Sequence, residues 1–411
     1  MRISDKRNKL SELISPRRDA ERPIYNWHSF KHSYSKELVD IFIAEFGLSK
    51  GSNVLDPFCG GGTTLLACKQ AGLNAHGIDI LPFSVFLSNV KTRNHDLQEI
   101  KKLRKSLEDI KLPSSSTFSL PDIPLATIAF SVPVRNKLLR IKQAIHDLEG
   151  QHSHDFINLA FLSILESVSN TAKAGAFLRT VDRDIDPNKI MPVFLTRLDR
   201  MIADIELAGA VNDHRIDNSE GSASATLGDA RSIDGEEEYD SVITSPPYPN
   251  RHDYTRIYSL ELFFDFVKGQ QELKQIRYDT LRSHVEARKK FDANEYEEPK
   301  RLRSLIKRVE KNGANNPQVL AMLGGYFEDM FLVLGQMKRR LRKKGKVALV
   351  VSNVSFAGIR VPVDQLLATI GEQAGLTTKG VWLARYRGNS AQQMGTYSRQ
   401  PSRESVVIWE S

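Results

Sequence analysis

NVLDPFCGGGTT, Asn53 to Thr64, is the stretch on which the reading of the fold turns. Val54 and Leu55 make a short apolar strand that ends on an acid, Asp56. Three consecutive glycines, Gly60, Gly61 and Gly62, then lead into a helical pattern. Glycines at such a turn allow backbone conformations, and a close approach to a ligand, that a Cβ would forbid. Strand, glycine turn and helix in that order belong to the carboxyl edge of a sheet of parallel strands, where doubly wound folds hold their ligands.

On either side of this stretch, apolar runs rich in β-branched residues predict further strands at 74–79, 225–228, 239–244, 346–352, 378–385 and 405–410. Helical periodicity appears at 64–71, 258–267, 326–342 and 362–374. This alternation predicts an α/β, doubly wound, Rossmann-like sheet of seven mostly parallel strands. No helix separates the last two strands, so they form an antiparallel hairpin. Two stretches break the rhythm. Residues 97–218 open with a charged helix and continue as helices around 135–148, 155–173 and 191–207, too long for a connector and hence a helical insertion. Residues 268–316 are polar, basic and helical in composition, either a solvated helical hairpin or a surface facing nucleic acid.

The chain has 411 residues, enough for one large catalytic domain with insertions. Its 58 basic against 50 acidic residues, net +8, favour a polyanionic partner without requiring one. Cys59 and Cys68 stand nine residues apart with no zinc-like spacing around them, which indicates neither a disulfide framework nor a structural metal and fits a reducing cytoplasm. The N-terminal segment is basic but has no apolar core, and no continuous apolar run approaches the roughly 18 residues of a membrane span. The expectation is a soluble, unprocessed cytoplasmic protein. The run Lys338 to Lys346, KRRLRKKGK, reads as the solvated, dipole-favoured end of a helix rather than a nucleic-acid patch.

Two constellations carry chemistry. At the first, the acid at the strand tip suits a cationic ammonium better than a pyrophosphate. S-adenosyl-L-methionine carries such an ammonium. Asp79 ends the second strand, placed for ribose hydroxyls, and Asp229 in LGDAR follows the next strand, placed for an adenine amino group. Cys59 reads as a small residue of this loop and Cys68 as core. The second constellation is YDSVITSPPY, 239–248, a strand running into Ser245, Pro246, Pro247 and Tyr248. Successive prolines make a rigid corner and leave carbonyls free as acceptors. The Ser245 hydroxyl and the Pro246 carbonyl supply two acceptors for an exocyclic amine, and Tyr248 a stacking face for a flipped base. Neither cysteine has the activated setting that methylation at a ring carbon requires. Beyond the pocket, Arg251, His252 and Arg256 in PNRHDYTR are candidate donors to phosphates or the base. Arg387 and Asn389 in RYRGNS are candidates for the base entrance.

NVLDPFCGGGTT followed by TSPPY resembles the amino-methyltransferase family of DNA-modifying enzymes, with the serine form of the tetrapeptide that marks its N4-cytosine members. The likeness extends through PIYNWHSFKHSYSKELV, RHDYTRIYSLELFF and RGNSAQQMG. It implies that Lys31, His32, Ser33 and Tyr34 close over the methionine end of the cofactor. Asp56, Pro57, Phe58, Cys59, Gly60, Gly62 and Thr63 would hold its amino-acid portion, and Asp79 its ribose. Ser245, Pro246, Pro247 and Tyr248 would form the methylation pocket. The core then comprises 1–96, 219–267 and 317–411. The insertion 97–218 is the candidate DNA-recognition region, and 268–316 a basic helical insertion. The implied reaction is methylation of cytosine N4 in specific double-stranded DNA sequences. Its implied setting is restriction-modification or a related DNA defence, with a cognate restriction endonuclease or other defence component as candidate partner. Adenine N6 in DNA, a guanine amino group in RNA, and DNA binding without catalysis are the competing readings; serine rather than aspartate or asparagine at 245 disfavours the first two. The recognition sequence and the oligomeric state are not legible.

Overall fold

Along each central strand, alternate side chains enter two different cores, as the two-residue period of a strand requires. Val54, Ile243, Ala348, Val350, Val406 and Ile408 pack on one face, against Leu38, Val39 and Phe42. Leu55, Val242, Val347, Leu349, Val351, Val407 and Trp409 pack on the other, against Leu323, Tyr326, Phe327 and Leu334. The computed structural model describes residues 2–148, 153–175, 177–212, 221–250, 252–313, 316–388 and 401–411.

In chain order the strands are β1 (Ile3–Asp5), β2 (Asn53–Asp56), β3 (Asn74–Asp79), β4 (Thr171–Ala174), β5 (Phe177–Thr180), β6 (Ala223–Leu227), β7 (Tyr239–Thr244), β8 (Leu341–Ser352), β9 (Val354–Phe356), β10 (Ile359–Val361), β11 (Thr377–Arg387) and β12 (Ser402–Glu410). Eight of them form one sheet in the order β1-β11-β12-β8-β7-β2-β3-β6. Strands β6, β3, β2, β7 and β8 run parallel, and β12 is antiparallel to both β8 and β11. The sheet therefore has one strand more than the seven expected. The addition is β1, three residues that pair in parallel with β11, too short for periodicity to reveal.

From β2 the chain builds outward through β3 to β6, then returns to place β7 on the other side of β2. The order reverses between β2 and β7, and it is outside the carboxyl ends at such a reversal that open α/β sheets bind ligands. Asp56 and Thr244 are those ends.

Helix Pro317–Arg340 shows how sequence sets an element. Asn316 caps it by accepting from Gln318 N at 2.9 Å, Pro317 occupies the first turn, and Lys338, Arg339 and Arg340 close the last turn. The basic run thus divides between this helix end and the start of β8, which begins at Leu341, five residues earlier than expected. This helix has the length and apolar composition to cross a membrane, and 61% of its most apolar window is buried inside the fold. It is a core helix.

The first insertion contributes helices Leu97–Glu108, Val132–His146, His154–Ile164 and Ile190–Asn212. The third stops at Ile164, nine residues short of its expected end, because 171–174 turn back as β4 to pair with β5. The insertion shares its core with Phe83, Leu87, Tyr258 and Leu262 of the flanking segments. The second stretch is not a helical hairpin. It forms helices Gln270–Asp279 and Lys300–Lys311, separated by twenty residues without a helix that pass over the sheet's carboxyl edge.

Candidate active site

A cleft of about 990 Å³, including open space at its mouth, lies over the reversal point. Asp56, Asp79 and Ser245 face it from strand ends, and Lys31, His32, Ser33 and Tyr34 face it from the N-terminal segment. Pro57, Phe58, Cys59, Gly60, Thr63, Asp229, Pro247 and His252 also line it. Of the residues singled out for the cofactor only Gly62 stands back.

Asp56 is buried, and its Oδ1 accepts from Phe58 N at 3.2 Å and Thr244 Oγ1 at 2.6 Å. The second bond ties the cofactor acid to the residue before Ser245, so the two loops are set relative to each other by a side chain the sequence did not flag. Asp79 accepts from Leu81 N on Oδ1 and from Gly60 N on Oδ2, both at 2.9 Å. Burial lifts both carboxyls to about 6, against an ordinary aspartate near 3.8.

The glycines are fixed by steric fit. A Cβ on Gly60, whose φ is +50°, would lie 2.8 Å from the Phe30 ring, and one on Gly61 2.8 Å from Phe30 Cβ. Phe30 stacks on Tyr258 with centroids 4.7 Å apart, and Tyr258 accepts a hydrogen bond from Lys31 N at 2.7 Å. Behind them Glu261 is fully buried, accepting from Lys173 Nζ at 2.5 Å and bonded to His28 Nε2 at 2.9 Å. Burial works to raise the Glu261 carboxyl, but the Lys173 ammonium and His28 outweigh it and hold it low. Lys91, also buried, donates to the carbonyls of Tyr25 and Gly61, at 3.0 and 3.1 Å, and burial lowers it to about 7. A lone charge in the otherwise uncharged helix Pro82–Thr92 was the available signal. Gly62 has φ +76° and abuts Ser88, so its role is helix packing.

At the second loop, Ser245 Oγ donates to the Val350 carbonyl at 3.1 Å and lies 3.2 Å from Tyr248 Oη. With its proton directed into β8, the hydroxyl keeps acceptor capacity for the cleft. Among the described residues no backbone N–H takes the Pro246 carbonyl. Pro246 and Tyr248 do not line the cleft; Tyr248 packs beside Phe58 against the core under the sheet. The wall opposite the glycines includes Tyr254, and His252 Nδ1 lies 2.8 Å from His32 Nε2, joining the cofactor segment to the base loop. Burial lowers both imidazoles, His32 to about 3 with His252, Arg387 and Lys31 adding to the effect, and His252 to about 4 with Arg387 adding to it.

Two other expected donors are paired with carboxylates. Arg256 pairs with Asp253 and Glu286, at 3.2 and 2.8 Å, and Arg387 with Glu404 at 3.3 Å. Asp253, His284 and Glu286 converge within 4.8 Å, but Arg256 and Arg277 already neutralise those carboxylates. Asp229 lines the cleft while held by Arg231 at 2.8 Å, so its carboxylate is shared with a structural pair. Arg251 and Asn389 lie outside the described residues. The second inserted stretch supplies Thr280, Leu281, Ser283 and His284 to the cleft, which nothing in its composition announced.

Residues 6–88 match the family model described as DNA methylase, N6_N4_Mtase. The type II methyltransferase M.BsoBI of Geobacillus stearothermophilus is 32% identical over 97% of this chain and 88% of its own length. The chain belongs to the type II DNA methyltransferase family. M.AvaI of Anabaena variabilis is 29% identical over the same shares, and M.MjaII of Methanocaldococcus jannaschii is 34% identical over 22% of this chain and 17% of its own. Among solved structures, a TehB-like methyltransferase from Corynebacterium glutamicum covers 92% of the chain and 89% of its own with a TM-score of 0.31 at 8% identity, too slight a likeness to bear on function.

The methyltransferase's cofactor is S-adenosyl-L-methionine, and the cleft fits it. Two desolvated carboxylates with no ion-pair partner among the described residues, beside a glycine loop that admits close backbone approach, suit a ligand with an ammonium, a sulfonium and ribose hydroxyls.

Proposed function

We propose that this DNA methyltransferase acts on the N4 amine of cytosine within specific duplex sequences, as the modification arm of a restriction-modification system. The observation that carries the reading is the Ser245 hydroxyl, which gives its proton to the Val350 carbonyl at 3.1 Å and so offers lone pairs to the cleft. A cytosine amine has two hydrogens to place. Ser245 Oγ accepts one, and the carbonyl of the adjacent Pro246, set back from the cleft lining but taken by no backbone N–H among the described residues, would accept the other.

The amine is a weak nucleophile because its lone pair is delocalised into the ring. Two fixed acceptors favour the pyramidal nitrogen that can attack, and the remaining contribution is alignment. Bound S-adenosylmethionine supplies an electrophilic methyl group. Asp56 would take its ammonium, Asp79 its ribose, and the segment Lys31 to Tyr34 would exclude water. Reaching the amine takes the nucleotide out of the duplex, at a cost of about a few kcal/mol that backbone contacts must offset. Cys59 and Cys68 are buried, and burial raises both thiols, which supports direct transfer without a thiolate nucleophile.

The test is to incubate the chain with duplex DNA and methyl-labelled cofactor, digest to nucleosides and identify the labelled base by mass spectrometry. N4-methylcytosine is expected. N6-methyladenine would overturn the weight placed on Ser245 while leaving the displacement intact.

A further inference from the structure

We infer that a cleft beside the base pocket, walled by helix Lys300–Lys311 and floored by the ends of β8, β11 and β12, binds the phosphate backbone of the substrate duplex. The inference rests on DNA being the substrate.

Leu302, Leu305 and Val309 are buried and seat this helix on helix Pro317–Arg340. The exposed remainder is basic apart from Ser304 and Glu310: Lys300, Arg301, Arg303, Lys307, Arg308 and Lys311. Asn312 Nδ2 donates to the Ala357 carbonyl at 2.6 Å, fixing the helix end to the turn between β9 and β10. This brings Arg301 and Arg308 into one concave surface with Arg360 of β10, Tyr386 of β11 and Arg403 of β12. Among the described residues no carboxylate lines that surface. Arg403 is neutralised from behind by the buried Asp364, at 2.7 and 2.9 Å. Arg301, Arg308 and Arg360 have no ion-pair partner among the described residues, whereas Arg231, Arg256, Arg277 and Arg282 are all paired within the fold.

Guanidinium groups gathered without counter-charge repel one another, and a polyanion relieves that repulsion while using their planar forks. The position also fits. Strand β12 is antiparallel to β8, with Glu404 opposite Ser352, and Arg387 pairs with Ser402. The cleft is therefore on the carboxyl edge that holds Ser245. Asn353, which lines it, stands three residues beyond Val350, the acceptor that orients Ser245, or about 10 Å along a strand. One duplex can then lie in the cleft while a flipped nucleotide enters the pocket. The polar helix thus belongs to the DNA side of the molecule rather than to a solvated hairpin.

The test compares the full chain with the triple variant Arg301→Ala, Arg308→Ala, Arg360→Ala, measuring duplex binding by fluorescence anisotropy across a salt series. Affinity is expected to fall at least about tenfold near 0.1 M salt. The slope of log K against log salt should lessen by about 2 to 3, because three phosphates would no longer be neutralised by the protein. Cofactor binding and the melting temperature should stay those of the parent, and the triple lysine variant should recover most of the low-salt affinity. Unchanged affinity and slope, in a chain whose parent methylates DNA, would overturn the track alone. A parent that labels RNA and no DNA would remove the substrate itself, and the track with it.

Discussion

Ser245 donates in one direction and accepts in another, and its substitution separates chemistry from binding. Ser245→Ala removes one of the two acceptors proposed for the amine and touches none of the acids at the cofactor end. It is expected to lower kcat about 10- to 100-fold, or ~1.4 to 2.7 kcal/mol in the barrier, with the cofactor Kd unchanged. Comparable loss of cofactor binding would show the residue to be misassigned. Asp56 predicts a pH dependence. In the unliganded chain its carboxyl is raised to about 6 by burial, so between about pH 4 and 6 the folded state holds a proton that the unfolded state has lost. Its contribution to stability falls as pH rises through that window. A cationic ligand favours the charged form, so cofactor affinity follows the opposite course: calorimetry at pH 5 should find it about tenfold weaker than at pH 7. Asp56→Asn should bind weakly at both and flatten the difference; a steep dependence persisting in that variant would exclude Asp56 as its source.

The glycine turn works because two other elements press against it. Phe30 leaves no room for a Cβ on Gly60 or Gly61, and helix Pro82–Thr92 leaves none on Gly62, where it would sit 2.9 Å from Ser88 Oγ and 3.0 Å from Ser88 Cα at a φ of +76°. Backbone cannot yield as a side-chain tip can. Gly62→Ala should therefore cost about 2 to 4 kcal/mol, strain and overpacking together, visible as a lower denaturant midpoint; a midpoint within error of the parent would mean the helix start relaxes freely. The glycine run and its strand tip were legible because that chemistry is local. The cover segment was legible only through family likeness, since what docks it, the Phe30–Tyr258 stack and the buried Glu261 with Lys173 and His28, joins residues from 88 to 233 positions apart.

Across the molecule, the second inserted stretch is fastened to helix Pro317–Arg340 and to the loop after β6 by a buried ionic cluster. Asp329 accepts from Arg282 Nε at 3.0 Å and from Arg231 Nη1 at 2.9 Å, and Arg231 also reaches Asp229 beside the cleft. Asp329 and the Arg231 side chain are fully buried. Removing the acid takes a carboxylate from two buried guanidinium groups at once, leaving Arg231 with Asp229 and Arg282 with Glu328, so Asp329→Ala should destabilise the chain by about 3 kcal/mol. It should also weaken cofactor binding, because Thr280 to His284 lose their anchor over the cleft. A stable variant with parental cofactor affinity would mean the stretch is held by its apolar contacts alone.

Strands β2, β3 and β7 and the two chemical loops follow from short-range pattern, because alternation, a terminal acid, glycines and a proline pair act over a few residues. Conformation set by distant partners does not. The edge strand β1, the β4–β5 hairpin and the link from Thr244 to Asp56 each depend on a surface that the rest of the chain must first build. The same holds for charge. Arg256, Arg387 and Arg308 look alike as isolated basic residues, yet folding brings acids to the first two and, among the described residues, no ion-pair partner to the third. Whether a cation is available to a phosphate depends on which carboxylates the fold places beside it, and neighbours in space are not neighbours in sequence.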